Sequence, residues 1–112
     1  MQISIEERDH TTVVSIAGSV DALTSADLTR ELIAQIEAGR QQLLMDLGQV
    51  DYMSSAGLRS ILASLKESRQ RGGDLRLAAA QPGVAKILKM SGFNNILKAF
   101  SSVDEGIKSF ES

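Results

Sequence analysis

An α/β fold with a mixed, mostly parallel sheet of four to five strands and about four helices is predicted by three observations. Strand-like and helix-like segments alternate along the chain, which favours parallel pairing through helical crossovers. Leu43 to Leu47 (LLMDL) is an almost continuous apolar run of strand length, the pattern of a strand covered on both faces. The N-terminus carries two adjacent strand patterns with only a polar stretch between them, as in an antiparallel hairpin.

The elements follow in order. Ile3 and Ile5 alternate with Gln2, Ser4 and Glu6, the period-two pattern of a half-buried strand. The polar stretch Glu7 to Thr11, with Asp9-His10 inside it, reads as a turn, and Thr12 to Ala17 (TVVSIA) as a second strand ended by Gly18. A helix is then expected with Thr24 as N-cap, Asp27 at its third position, and a hydrophobic staple between Leu23 and Leu28. Leu28, Leu32, Ile33 and Ile36 form its inner face, and Gly39 stops it. After the apolar strand, Leu58, Ile61, Leu62 and Leu65 repeat at i, i+3, i+4 and i+7 with Arg59, Lys66, Glu67 and Arg69 turned outward. Ser54-Ser55 opens this helix and Gly72-Gly73 closes it. Leu75 to Ala79 is a further strand. Pro82 suits the first turn of a short helix through Val84, Ile87 and Leu88 that ends at Gly92. Ile96 to Phe100 is a candidate edge strand. Ser102 with Glu105 forms a capping box for a last helix whose Val103, Ile107 and Phe110 face inward. No internal repeat, linker or low-complexity stretch interrupts the pattern, and one domain is expected over residues 1–112.

Composition narrows the function. The 112 residues carry 12 Lys+Arg against 14 Asp+Glu, a net charge of −2, with 43% hydrophobic and 23% charged residues. A chain of this size closes one core without metals or disulfides. The absence of Cys excludes a disulfide scaffold, a thiolate zinc site and a cysteine nucleophile. The single histidine, His10, argues against a His-rich metal centre and a Ser-His-Asp relay. A pI near 5.3 provides no electrostatic footprint for nucleic acid or an anionic membrane. No apolar run of membrane-spanning length and no signal-peptide pattern at Met1 to Arg8 are present, so a cytoplasmic location is expected.

In open α/β sheets, chemistry gathers where strands end and the next helices begin. That points to a loop from Gly48 to Ser55, containing Asp51, Tyr52, Met53, Ser54 and Ser55 ahead of Ala56-Gly57. Two serines at a helix start are most simply explained by capping. Ser55-Ala56-Gly57 matches half of a nucleophile elbow, but Met53 stands where the first glycine belongs. Phosphate-binding glycine loops are absent. Asp21, Asp46 and Asp51 as a magnesium site compete with the simpler reading that they serve turns and helix starts. Asp46, within an apolar run, requires a hydrogen-bond partner. Met45, Met53 and Met90 suit core or interface filling, and the charges from Lys66 to Arg71 a solvated face. No enzyme and no cofactor are expected.

The string Val50-Asp51-Tyr52-Met53-Ser54-Ser55-Ala56-Gly57-Leu58 resembles the central motif of the STAS domain in bacterial anti-sigma factor antagonists. That motif runs apolar, Asp, Ser, Ser or Thr, Gly, Leu. Gly18-Ser19-Val20-Asp21, the strand ending in Asp46-Leu47, Gly72-Gly73 and Met90-Ser91-Gly92-Phe93 resemble further family features in the same order, so the resemblance covers essentially the whole chain. It implies a STAS-like fold and a partner-switching regulator. In that family an anti-sigma factor, a serine-threonine kinase of the histidine-kinase-like ATPase fold, phosphorylates the serine after the motif's Asp. By position that serine is Ser55, with Ser54 the fallback. Ser54 replaces the usual Asp, and Ala56 replaces the second hydroxyl residue. The resemblance further implies a partner surface of Asp21, Asp51, Met53, Ser54, Ser55, Ala56, Gly57 and Arg59, a serine phosphatase that resets the switch, and release of a sigma factor while Ser55 is unmodified. The alternative is a non-enzymatic STAS module in another assembly: stress sensing, secretion regulation or a lipid-transport accessory subunit.

Overall fold

The computed structural model describes residues Met1–Glu111. Strands β1 (Gln2–Arg8) and β2 (Thr11–Val20) lead into helix α1 (Ser25–Glu37), β3 (Gln42–Met53), α2 (Ser55–Gln70) and β4 (Asp74–Ala78). Helix α3 (Pro82–Met90), a 3-10 turn at Phe93–Asn95, β5 (Ala99–Phe100) and α4 (Val103–Ser109) complete the described chain. The five strands form one sheet in the order β1-β2-β3-β4-β5, with β1 antiparallel to β2 and the other pairs parallel. The predicted mixed α/β class therefore holds, with five strands and four α-helices.

Crossovers of one hand that advance in one direction place their helices on one face. Accordingly α1, α2 and α3 share a single core, built from Val14, Ile16, Leu43, Met45 and Leu47 of the sheet with Leu28, Leu32, Ile61, Leu65, Val84 and Leu88 of the helices. The opposite face carries a smaller cluster, Val13, Leu44, Ala78 and Ile107, closed by α4. Leu44 is thus buried from one side and Leu43 from the other, as the unbroken apolar run of β3 requires. Charge supports α4 and the end of α2. Arg76 stacks on Phe110, donates to the carbonyl of Ser109 and, with Arg69, grips Asp74. Partial burial opposes ionisation of Asp74. The hydrogen bonds from Arg76, Arg69 and the Leu75 backbone outweigh it and hold the carboxyl below its ordinary range.

Several boundaries differ from expectation. The hairpin turn is only Asp9-His10, both at positive φ, so β1 and β2 extend through Arg8 and Thr11. Ile3 is half-buried, whereas Ile5 is exposed on the edge strand. Gly18 does not end β2; its φ of +100° sits beside a register shift, and the strand continues to Val20. The predicted staple is absent, because Leu23 is 90% exposed. On α2, Ile61 and Leu65 are buried while Leu58 and Leu62 are half-buried. Beside Ile61 and Leu65 the buried face holds Gly57, Ser60, Ser64 and Ser68, small residues, and at Ser60 the helix meets α1 directly. The hydroxyls of Thr29 and Ser60 share a hydrogen bond of 2.6 Å, and Ser60 also donates to the Ser25 carbonyl at 2.8 Å. Ala79 falls outside β4, with φ +62°, and the C-terminal edge strand is only Ala99–Phe100. Ser102 caps α4 through the Glu105 N–H, while the Glu105 carboxylate accepts from Ser101 rather than from the cap.

Candidate functional site

The expected loop from Gly48 to Ser55 is not a loop. β3 runs through the motif to Met53, pairing Gly18 with Val50, Ser19 with Tyr52 and Val20 with Met53. Only Ser54 separates strand from helix. Its backbone is extended, its N–H donates to the Val20 carbonyl at 2.8 Å, and its hydroxyl accepts from the Gly57 N–H at 3.3 Å. Ser54 is therefore the N-cap, as expected, and Ser55 the first helical residue. Ser55 and Arg59 are exposed, and Ala56 is half-buried.

Beside this helix start stands the turn that follows β2. The Asp21 carboxylate accepts from the backbone N–H groups of Leu23 at 2.9 Å and Thr24 at 3.1 Å. Thr24 does not cap α1 with its side chain. Its hydroxyl accepts from the Asp21 N–H and donates to the Ser19 carbonyl. The Asp21 carboxylate thus orders the turn ahead of α1, and the helix start has no side-chain cap, because the Thr24 hydroxyl is folded back into that turn. Asp27 pairs with Arg30 rather than closing a capping box. Across the two strand ends, Ser19 donates to the Asp51 carboxylate at 2.9 Å.

The structure brings Asp21, Asp51, Ser54, Ser55 and Arg59 to one corner, but it removes two residues from the expected partner surface. Met53 is 2% exposed and belongs to the core. Gly57 is buried because a Cβ there would lie 2.8 Å from the Val20 side chain and 3.2 Å from its carbonyl oxygen. Both residues shape the site from beneath. Two others take their place at the surface: Leu23, exposed on the turn, and Tyr52, 53% exposed at the end of β3. Strand alternation carries the signal for Tyr52, since burying Met53 turns its neighbour outward. Nothing in the local sequence separates an exposed Leu23 from a staple.

Asp46 lies apart from this corner, half-buried, accepting from the Gly48 N–H at 3.0 Å and from Ser15. The three aspartates considered for a cation are thus separately committed, and among the described residues no cluster of three His, Asp or Glu side chains could hold a metal. Among the described residues, no helix is long and apolar enough to cross a membrane.

The sequence profile of the STAS domain matches residues 2–106. The chain belongs to the STAS domain family. BtrV of Bordetella bronchiseptica, a candidate anti-sigma factor antagonist, is 32% identical over 112 residues, covering 100% of this chain and 97% of that protein. Among solved structures, an anti-sigma factor antagonist from Mycobacterium paratuberculosis superposes with a TM-score of 0.91 at 21% identity, covering 99% of this chain and 94% of that one. The Bacillus cell fate determinant SpoIIAA in its phosphorylated form superposes with a TM-score of 0.75 at 18% identity, covering 96% and 98% respectively. The STAS fold implied by the motif order is the fold observed.

Proposed function

We propose that this STAS domain is an anti-sigma factor antagonist that acts by binding rather than catalysis, in the cytoplasm, and that phosphorylation of Ser55 switches it. The observation that carries the reading is the placement of Ser55: exposed, in the first turn of α2, immediately after a neutral cap and on the corner shared with the β2–α1 turn. A relative solved in a phosphorylated form supports a phosphate-controlled switch. Unmodified, the corner binds an anti-sigma factor kinase and so frees a sigma factor; modified, it lets go until a serine phosphatase resets it. Asp21, Asp51, Ser54, Ser55, Ala56 and Arg59 form the contact, flanked by Leu23 and Tyr52, with Met53 and Gly57 beneath.

Two energies decide the outcome of adding a phosphate of about −1.5 to −2 charges. At a helix start it is favoured by about 0.3–1 kcal/mol through the dipole and free N–H groups, so the fold survives. Buried against a partner without a cation prepared for it, it costs about 2–5 kcal/mol, or about 30-fold to several thousand-fold in affinity. The interface term is larger.

Incubation with the partner kinase and ATP, followed by mass-spectrometric mapping, tests the acceptor. Ser55→Ala is expected to abolish incorporation, and full incorporation in that variant refutes the assignment. Calorimetric titration of Ser55→Asp, alongside thermal melts, tests the switch: affinity falls while the melting temperature stays near that of the parent. A loss of affinity that merely follows a collapsed melt makes Ser55 structural. Co-purification that returns no anti-sigma factor places the domain in a different assembly.

A further inference from the structure

Arg8, Arg30, Arg40, Arg69, Arg71 and Arg76 each meet a carboxylate of this chain. Among the described residues, Arg59 is the arginine that meets none, and it is exposed. Its helical neighbours explain this. The positions three and four residues away are Ser55, Ala56, Leu62 and Ala63, none of them acidic. The two carboxylates of the corner are already engaged, Asp51 by Ser19 and Asp21 by the N–H groups of its own turn.

We propose that Arg59 is a phosphate clasp: once Ser55 carries a phosphate, the Arg59 guanidinium closes onto it within the same helix. The inference rests on Ser55 being the acceptor. Residues at i and i+4 are stacked on one helical face about 5–6 Å apart at Cβ, and an acid placed N-terminal to its base is the favoured order. Side chains lean toward the helix N-terminus, so Arg59 extends over Ser55 rather than away from it. The guanidinium fork matches two phosphate oxygens, which an ammonium cannot do. No side chain has to be taken from an existing ion pair. Phosphorylation then alters two surface charges together: it adds the dianion and withdraws the free cation from anything that docks on the corner.

The test uses the full chain with phosphoserine placed at position 55 during synthesis, so that no kinase is needed. Phosphorus NMR follows the second ionisation of the phosphate in the parent, Arg59→Ala and Arg59→Lys. Asp21 and Asp51 are unchanged in all three proteins, so the difference isolates Arg59. The midpoint is expected to lie lower in the parent than in Arg59→Ala by about 0.2–0.4 pH unit, the ionisation shift corresponding to a surface i,i+4 pair. Arg59→Lys should retain part of the difference, and about 1 M salt should erase most of it. Equal midpoints in the parent and Arg59→Ala overturn the clasp. Failure of the acceptor assignment is seen separately, as kinase-delivered phosphate mapping to Ser54, and leaves the result with fixed phosphoserine standing.

Discussion

Helices α1 and α2 begin at the C-terminal ends of neighbouring parallel strands, yet their starts are built differently. Before α1 the chain makes a turn from Asp21 to Thr24, and a carboxylate gathers the N–H groups of that turn. Before α2 a single residue, Ser54, carries the chain from strand to helix and caps it with a neutral hydroxyl. α1 has Asp27 in its first turn, while α2 has no acidic residue there. The positive end of α1 is thus already met by charge from its own chain. The positive end of α2 is open, and the exposed side chain at that point is a hydroxyl. A covalent negative charge is stabilised most where the fold has left that position empty.

Substitutions can break this contrast, beginning with the largest effect. Gly57→Val should cost about 2–3 kcal/mol, because the new side chain meets Val20 and the start of α2 must move off β2. Urea unfolding measures it, and a loss under about 0.5 kcal/mol would mean that α2 does not depend on that approach. Asp21→Ala should cost about 1–2 kcal/mol, since the Leu23 N–H loses its acceptor and the Thr24 N–H keeps only the backbone carbonyl of residue 21. Ser54→Ala should cost about 1 kcal/mol, whereas Ser54→Asp should regain the cap and add favourable charge. If Ser54→Asp is less stable than Ser54→Ala, the start of α2 is not receptive to negative charge and the contrast fails. Ser55→Ala should stay within about 0.5 kcal/mol of the parent, as an exposed side chain without a hydrogen-bond role in the fold.

The far end of α2 sharpens the comparison, because it is held by charge. Asp74 has its folded-state pKa lowered from 3.8, so its contribution is present above that value and is lost as pH falls through the lower folded pKa. Asp74→Asn should therefore be less stable than the parent at neutral pH by about 1 kcal/mol, with the two converging as the pH drops below about 3.8. Unfolding curves from pH 7 to pH 3 check this. Parallel curves across that range would show that the Arg69–Asp74–Arg76 contacts do not stabilise the ionised form.

The corner of Ser54 and Ser55 was legible because helix starts have local chemistry: a capping hydroxyl, a glycine, then an apolar repeat. The same local logic failed at α1. Thr24 and Leu23 satisfy the sequence pattern of a cap and staple, but Thr24 bonds to Ser19 and Asp21, and Leu23 faces outward. The Asp21 carboxylate gathers the Leu23 and Thr24 N–H groups ahead of the helix, and only the path of the chain out of β2 decides that the Thr24 hydroxyl turns back into this network. Met53 and Gly57 were misplaced for a related reason. The motif marks them as neighbours of Ser55, while burial depends on where β2 lies.

By itself the sequence determined the alternation of strands and helices, the double-sided burial of β3, the cap at Ser54 and the family to which the chain belongs. Each of these is written within a few residues, through side-chain period, capping chemistry or an ordered motif. The tertiary structure alone decided that β2 runs through Gly18, that β3 continues to Met53 so the site is a strand end, and that α4 covers the second face of the sheet. These outcomes depend on which segments lie side by side, and contacts between residues distant in sequence set that, beyond the reach of any local pattern.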